Sequence, residues 1–130
     1  MNKRTMDLMF SKKSDHWKTP KAIYQKFMYE GYVDPCPFES EENNLDKDFG
    51  YVRMFINPPY SGIKHWVDFA IRHHEKYKKE IVFLVPARTD TKWFHKLLDY
   101  GVRLTFVKSR LRFNESDRAP FPSVYITLEE

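Results

Sequence analysis

Apolar and polar positions alternate along this chain in blocks whose periods predict secondary structure. After Thr19, a residue type that caps helices, and Pro20, the type favoured at a first helical position, Ile23, Phe27 and Met28 recur at helical spacing until Gly31. That predicts a helix of about three turns. Tyr32-Val33-Asp34 reads as a short strand cut off by Pro35 and Pro37, and residues 39–50 are polar and aperiodic, hence loop. Residues 51–56 form a second predicted strand, ending at Asn57-Pro58-Pro59. In residues 63–77, Ile63, Trp66, Val67, Ala70, Ile71 and Tyr77 make one apolar helical stripe, and 81–85 is a continuous apolar run of the kind a buried parallel strand shows. A helix over 91–100 closed by Gly101, a strand at 102–107 and a last strand at 124–128 complete the pattern.

Strands separated by helices of these lengths predict an α/β sheet with right-handed crossovers. In open sheets of this kind ligands bind beyond the carboxyl ends of the strands. Asp34-Pro35-Cys36 and Asn57-Pro58-Pro59-Tyr60 both fall at such ends, so they are expected to share one crevice.

Length changes the picture by limiting it: 130 residues fit one domain. The expected organisation is a flexible basic arm over residues 1–15 and a single domain over 16–130. Aromatic residues make up 17% of the chain, and several stand in loops, where they serve contact surfaces as readily as cores. The net charge of +4 is modest, but its distribution is uneven. Lys3, Arg4, Lys12, Lys13 and Lys18 enrich one end, Arg103, Lys108, Arg110, Arg112 and Arg118 the other, and Glu39, Glu41, Glu42, Asp46 and Asp48 make the middle acidic. Such a pattern fits either one face for nucleic acid or ordinary solvated charge. Cys36 is the sole cysteine, which excludes an intrachain disulfide and a Cys-rich zinc site and fits a reducing cytoplasm. The sequence predicts neither a signal peptide nor a membrane span.

The segment Asn57-Pro58-Pro59-Tyr60 has a specific chemical use. The exocyclic amine of adenine is a poor nucleophile because its lone pair is delocalised into the ring. If the Asn57 side-chain oxygen and the Pro58 carbonyl accept its N–H bonds, the nitrogen becomes more tetrahedral and more reactive. Two prolines hold that acceptor pair rigid, and Tyr60 offers a flat face for an extruded base. The plain alternative is a proline-bent strand end with an Asn-initiated turn. If acceptance of the N–H is what matters, Asn57→Asp is expected to retain more activity than Asn57→Ala.

Five blocks in one order give the chain a resemblance to a known family. They are His16-Trp17-Lys18-Thr19-Pro20, Val33-Asp34-Pro35-Cys36-Pro37, Phe55-Ile56-Asn57-Pro58-Pro59-Tyr60-Ser61, residues 84–95 from Leu84 to His95, and Arg110-Leu111-Arg112-Phe113 followed by Ala119-Pro120-Phe121-Pro122-Ser123. Over nearly its whole length the chain resembles the phage-type DNA N-6-adenine methyltransferase (Dam) family. The resemblance implies a compact class I methyltransferase (Rossmann-like) α/β fold with a reduced first half and no separate target-recognition domain. It implies S-adenosylmethionine as methyl donor and adenine in DNA as acceptor.

Carried over by position, Asn57, Pro58, Pro59 and Tyr60 become the catalytic segment. Asp34-Pro35-Cys36 is the counterpart of the first cofactor motif, with Asn57 also facing the donor, and Trp17, Thr19 and Pro20 close over the donor's methionine end. Arg88 is expected beside the target base, and Arg110 and Arg112 on DNA. A carboxylate at Asp34 suits the donor's cationic groups, though Asp34 also fits a plain turn. Two departures stand out: proline-containing Asp34-Pro35-Cys36-Pro37-Phe38 replaces the glycine-rich loop of many methyltransferases, and Ser109 stands where glycine is expected.

The remaining reactive side chains carry less. Arg88, Asp90 and His95 lack a nucleophile for a triad, and methyl transfer needs no covalent enzyme intermediate; Asp90 equally suits a helix cap. Cys36 is expected to be a small packing residue, and His73-His74 to be solvent-exposed without metal-ligand spacing. Rival readings are a methyltransferase acting on RNA adenine or protein glutamine, and a catalytically lapsed DNA-binding protein.

Overall fold

The computed structural model describes residues 16–112 and 117–130, so the expected arm over 1–15 and Phe113 lie outside the described residues. Among the described residues, three helices, α1 (Lys21–Tyr29), α2 (Ile63–Tyr77) and α3 (Lys92–Tyr100), accompany four strands, β1 (Met54–Ile56), β2 (Ile81–Pro86), β3 (Arg103–Phe106) and β4 (Ser123–Leu128). The strands form one sheet in the order β1-β2-β4-β3.

The sheet is mixed. β1 and β2 run parallel, with Met54 opposite Ile81, and α2 makes the crossover between them. β4 enters antiparallel between β2 and β3, pairing Ile81 with Leu128 on one side and Arg103 with Thr127 on the other. The expectation of helix-linked parallel strands therefore holds for β1-α2-β2, while the sheet's other half closes by antiparallel pairing. Of the strand expected at 32–34, a single parallel bridge remains, Val33 beside Met54, secured by Val33 N–H to the Arg53 carbonyl at 2.8 Å and Phe55 N–H to the Val33 carbonyl at 2.9 Å. It still brings Asp34 to the sheet's carboxyl edge, next to β1.

Apolar residues of both parities in β1 and β2 predict burial on two faces, and both are covered. Met54, Ile56, Phe83 and Val85 pack with Val67, Phe69 and Ala70 of α2 and Phe94 and Leu97 of α3. Phe55, Val82 and Leu84 face the other way, against Ile23, Tyr24, Phe27 and Met28 of α1, where the Phe27 and Phe55 rings stack at 4.3 Å. α2 keeps the bounds its periodicity predicts and ends at Lys78, which takes a left-handed conformation at φ 56°. β1 is shorter than the expected 51–56, because the turn at Gly50 (φ 73°) leaves Tyr51 exposed rather than paired.

Two local expectations are corrected. Thr19 does not cap α1: Pro20 occupies the cap position, no side chain caps the helix, and the Thr19 hydroxyl is used elsewhere. Nor are His73 and His74 solvent-exposed. His73 is buried, its Nε2 accepting the Phe49 N–H at 3.2 Å while Nδ1 lies 3.0 Å from the Phe69 carbonyl. His74 is half-buried, with Nδ1 at 2.6 Å from the Tyr100 hydroxyl and Nε2 at 2.6 Å from the Glu129 carbonyl. The cause is tertiary: the 39–50 loop and the chain's last residues fold over a helix face that looks polar in isolation.

Candidate active site

β1 ends just before Asn57, the first residue of the expected catalytic segment. Asn57 is 9% exposed, and Pro58 is buried. The Asn57 side-chain nitrogen donates to the Trp17 carbonyl at 2.7 Å and to Thr19 Oγ1 at 2.9 Å. A backbone carbonyl only accepts, so it fixes which end of the amide faces it. Both N–H groups are thereby committed, and Oδ1 is the acceptor left. His16 Nε2 donates to the Asn57 backbone carbonyl at 2.7 Å, clamping the peptide ahead of the prolines. Pro59 is extended at φ −62° and ψ 142°, and its carbonyl accepts the Gly62 N–H at 3.0 Å in the short 3-10 turn Tyr60–Gly62.

Asn57 stands in the wall of a cavity of about 700 Å3. Asp34, Cys36, Thr19 and Tyr24 line the same cavity, together with Lys18 and Lys21. Asp34-Pro35-Cys36 and Asn57 thus meet at one crevice, because the Val33 bridge sets the two chain segments side by side. Asp34 accepts the Cys36 N–H at 2.9 Å in a tight turn, so its turn role and its place in the crevice coexist. Burial holds the Asp34 carboxyl above its ordinary range, opposed by the Cys36 N–H, the Tyr24 hydroxyl and the His16 charge. The Tyr24 hydroxyl is pushed up to about 12 by burial and by the Asp34 charge. Burial and the same charge push the Cys36 thiol up to about 12, so it stays protonated at neutral pH, as a packing residue rather than a nucleophile.

On the other side of Asn57 lies a narrow cleft of about 10 Å3, lined in part by Trp17, Pro20, Tyr60, Leu111 and Phe121. The Phe121 ring meets Tyr60 edge-on at 5.3 Å and Trp17 edge-on at 6.0 Å. A space of that size holds about one water, so a purine reaches the Tyr60 face only if Phe121 or Trp17 moves.

The model of the family described as DNA N-6-adenine-methyltransferase (Dam) matches residues 8–123. The chain belongs to this DNA adenine methyltransferase family. Its activity is adenine-specific DNA methylation. It is also 27% identical over 142 residues to the DNA N-6-adenine-methyltransferase of Haemophilus phage HP1 (strain HP1c1), an alignment covering 92% of this chain and 82% of the phage protein. No solved structure matches the chain.

In this Dam-family chain the three expected DNA-contacting arginines, Arg88, Arg110 and Arg112, are all exposed. Arg110 and Arg112 flank Leu111, which lines the cleft beside Asn57, so they stand at its rim. Arg112 pairs with Arg118 in an isolated antiparallel bridge, which sets two cationic residues opposite each other. Arg88 begins a turn in which its carbonyl accepts the Thr91 hydroxyl at 2.7 Å. Asp90 does not cap α3: Thr91 holds that position without a side-chain cap. His95 Nε2 is tied to the Thr89 carbonyl at 2.7 Å, which leaves it a structural part of the turn. Among the described residues no group of acidic, histidine and cysteine side chains is arranged to hold a metal, and no helix is long and apolar enough to cross a membrane.

Sequence reasoning missed Tyr24 and Asn44, and gave His16 and Phe121 no role although both stand in the matched blocks. The proximity of His16 to Asn57 spans 41 residues, whereas Asn44 reaches Pro35 across nine. Only the position of His16 beside Trp17 hinted at it.

Proposed function

We propose that the chain transfers a methyl group from S-adenosylmethionine to the N6 amine of adenine in DNA, on a reduced class I (Rossmann-like) sheet, with Asn57, Pro58, Pro59 and Tyr60 holding the target amine. The observation that carries this reading is the orientation of Asn57. Its N–H groups are committed to Trp17 and Thr19, so Oδ1 is free of competition to accept an N–H from an amine.

The 700 Å3 cavity suits the donor in chemistry as well as size. S-adenosylmethionine carries an ammonium, a carboxylate and a sulfonium, and supplies the methyl as a sulfonium-bound electrophile. Asp34 is an apt counter-charge for the cationic groups and Lys18 and Lys21 for the carboxylate, while Thr19 lines the donor side of Asn57 and Trp17 and Pro20 line the target side. Pro35 and Cys36 complete the turn that aims Asp34. The chain's own contribution to the reaction is positioning: acceptance of the amine N–H bonds by Asn57 Oδ1 and the Pro58 carbonyl, and in-line approach of nitrogen to methyl. Arg110, Arg112 and Arg88 would hold phosphates around the cleft. The parallel β1-α2-β2 unit, with Val33 as a vestigial neighbouring strand, supports the Rossmann-like assignment. A cytoplasmic location, the host's if the chain is phage-encoded, follows from DNA as substrate.

The test is to incubate the protein with labelled donor and, separately, with DNA, RNA and glutamine-containing protein. N6-methyladenine in DNA is expected. Label in RNA or protein instead would redirect the substrate, and donor binding without transfer to any of them would sink the reading.

A further inference from the structure

β1 pairs with β2 as far as Ile56 opposite Phe83, and the residues that follow leave the sheet. Pro58 and Pro59 carry no N–H, so neither can donate to a sheet ladder. What grips the chain there is a side chain from 41 residues earlier: His16 Nε2 lies 2.7 Å from the Asn57 backbone oxygen. A carbonyl oxygen only accepts, so Nε2 carries a proton. His16 is 7% exposed, and Phe38 packs edge-on against its ring at 5.4 Å, which fixes the direction in which Nε2 points.

The consequence reaches past Asn57. In Pro58 the ring fixes φ, and Pro59 behind it confines ψ to the extended region, because its ring would clash with a helical backbone at the preceding residue. Neither internal rotation of Pro58 is then free. The direction of the Pro58 carbonyl is left to one element, the plane of the trans peptide that joins Asn57 to Pro58. His16 holds the oxygen of that plane. The Asn57 side chain is held separately, by the Trp17 carbonyl and Thr19 Oγ1.

We propose that His16 is a positioning residue that aims the Pro58 carbonyl at the target amine by holding the peptide plane ahead of it. This role rests on the reading of Asn57 Oδ1 and the Pro58 carbonyl as the acceptors of that amine. Two tasks are then divided within one short segment: Trp17 and Thr19 set the side-chain acceptor, and His16 sets the backbone acceptor. His16 acts on the transfer step and not on the hold over either substrate, although its ring stands in the wall of the cavity of about 700 Å3.

The test compares the unaltered protein with His16→Phe, which keeps a flat ring and loses the donor, and His16→Gln, whose amide nitrogen reaches the place of Nε2. Single-turnover transfer of labelled methyl to DNA, at saturating donor, is read beside calorimetric affinities for donor and for DNA. His16→Phe is expected to slow transfer roughly tenfold to a hundredfold, the scale of a small misplacement of a reacting group, with both affinities close to the parent's. His16→Gln should recover most of the rate. Normal transfer by His16→Phe overturns the proposal. Equal losses in the two variants, or a loss matched by weaker donor binding, also overturn it, because the ring then acts by packing. Nitrogen NMR of the histidine rings in the unaltered protein needs no variant to fold: Nε2 of His16 is expected to be protonated, and an unprotonated Nε2 overturns the proposal. If the unaltered protein moves no methyl to DNA, the amine-holding reading fails and the role of His16 with it, an outcome distinct from normal transfer by His16→Phe.

Discussion

The side-chain amide of Asn57 donates to the backbone carbonyl of Trp17 at 2.7 Å, across 40 residues of sequence. This contact turns the Asn57 oxygen into the available acceptor and joins the Trp17–Thr19 segment to the segment that begins at Asn57.

That relationship reverses one expectation from the sequence. A carboxylate at position 57 keeps an acceptor, and the Thr19 hydroxyl can turn to donate to it, but it places an oxygen against the Trp17 carbonyl, which only accepts. Asn57→Asp is therefore expected to lose at least as much activity as Asn57→Ala. For Asn57→Ala the methyl-transfer rate should fall roughly a hundredfold or more, the size of losing one preorganised polar contact. Single-turnover transfer of labelled methyl to DNA measures both. Retention of near-normal transfer by Asn57→Ala would leave the segment as a bent strand end.

Asp34 links pH, stability and binding. Its carboxyl is held above the ordinary range mainly by burial, so folding shifts it toward the neutral form relative to the unfolded chain. The stability associated with that neutral form is full below the ordinary carboxyl pKa and is lost as pH rises through the raised value. Asp34→Asn keeps an oxygen for the Cys36 N–H and removes the charge, so at neutral pH it should melt higher than the parent while binding the donor about tenfold more weakly or worse. In the parent, donor affinity should decline as acid protonates Asp34. Thermal melts and calorimetry across pH 4–8 test both, and a variant that binds normally takes Asp34 out of the site.

Arg110 and Arg112 at the cleft rim should contact phosphate. Replacing both with Ala is expected to weaken binding to all DNA sequences alike and to reduce the slope of log affinity against log salt by about 2, because fewer counterions are released. A loss confined to one sequence would mean that these residues read bases.

Ser109 adopts φ 66°, the left-handed region that favours glycine, which is the residue expected there from the family resemblance. The serine is accommodated at a backbone penalty. Ser109→Gly should relieve roughly 1 kcal/mol of it, less the added freedom of the unfolded chain, and raise the melting temperature by a few degrees. Calorimetric melting decides, and a lower melting temperature would show that the serine side chain contributes more than the strain it bears.

The order of helices and strands, the two-sided burial of β2, and the position of Asn57-Pro58-Pro59-Tyr60 at a strand end were legible in the sequence. Periodicity and proline are local signals, and burying an apolar stripe leaves few alternatives for where each element runs. Five ordered blocks also sufficed to place the chain in its family. The tertiary structure alone decided that β4 inserts antiparallel between β2 and β3, that Thr19 serves Asn57 instead of a helix end, and that His73 and His74 are covered. It also decided that Phe121 lies over Tyr60 and that Asn44 is locked with its oxygen unpaired. Each of these depends on hydrogen bonds or packing between segments distant along the chain. Such contacts leave no period in the residues that make them, since either partner would look the same if the other were elsewhere.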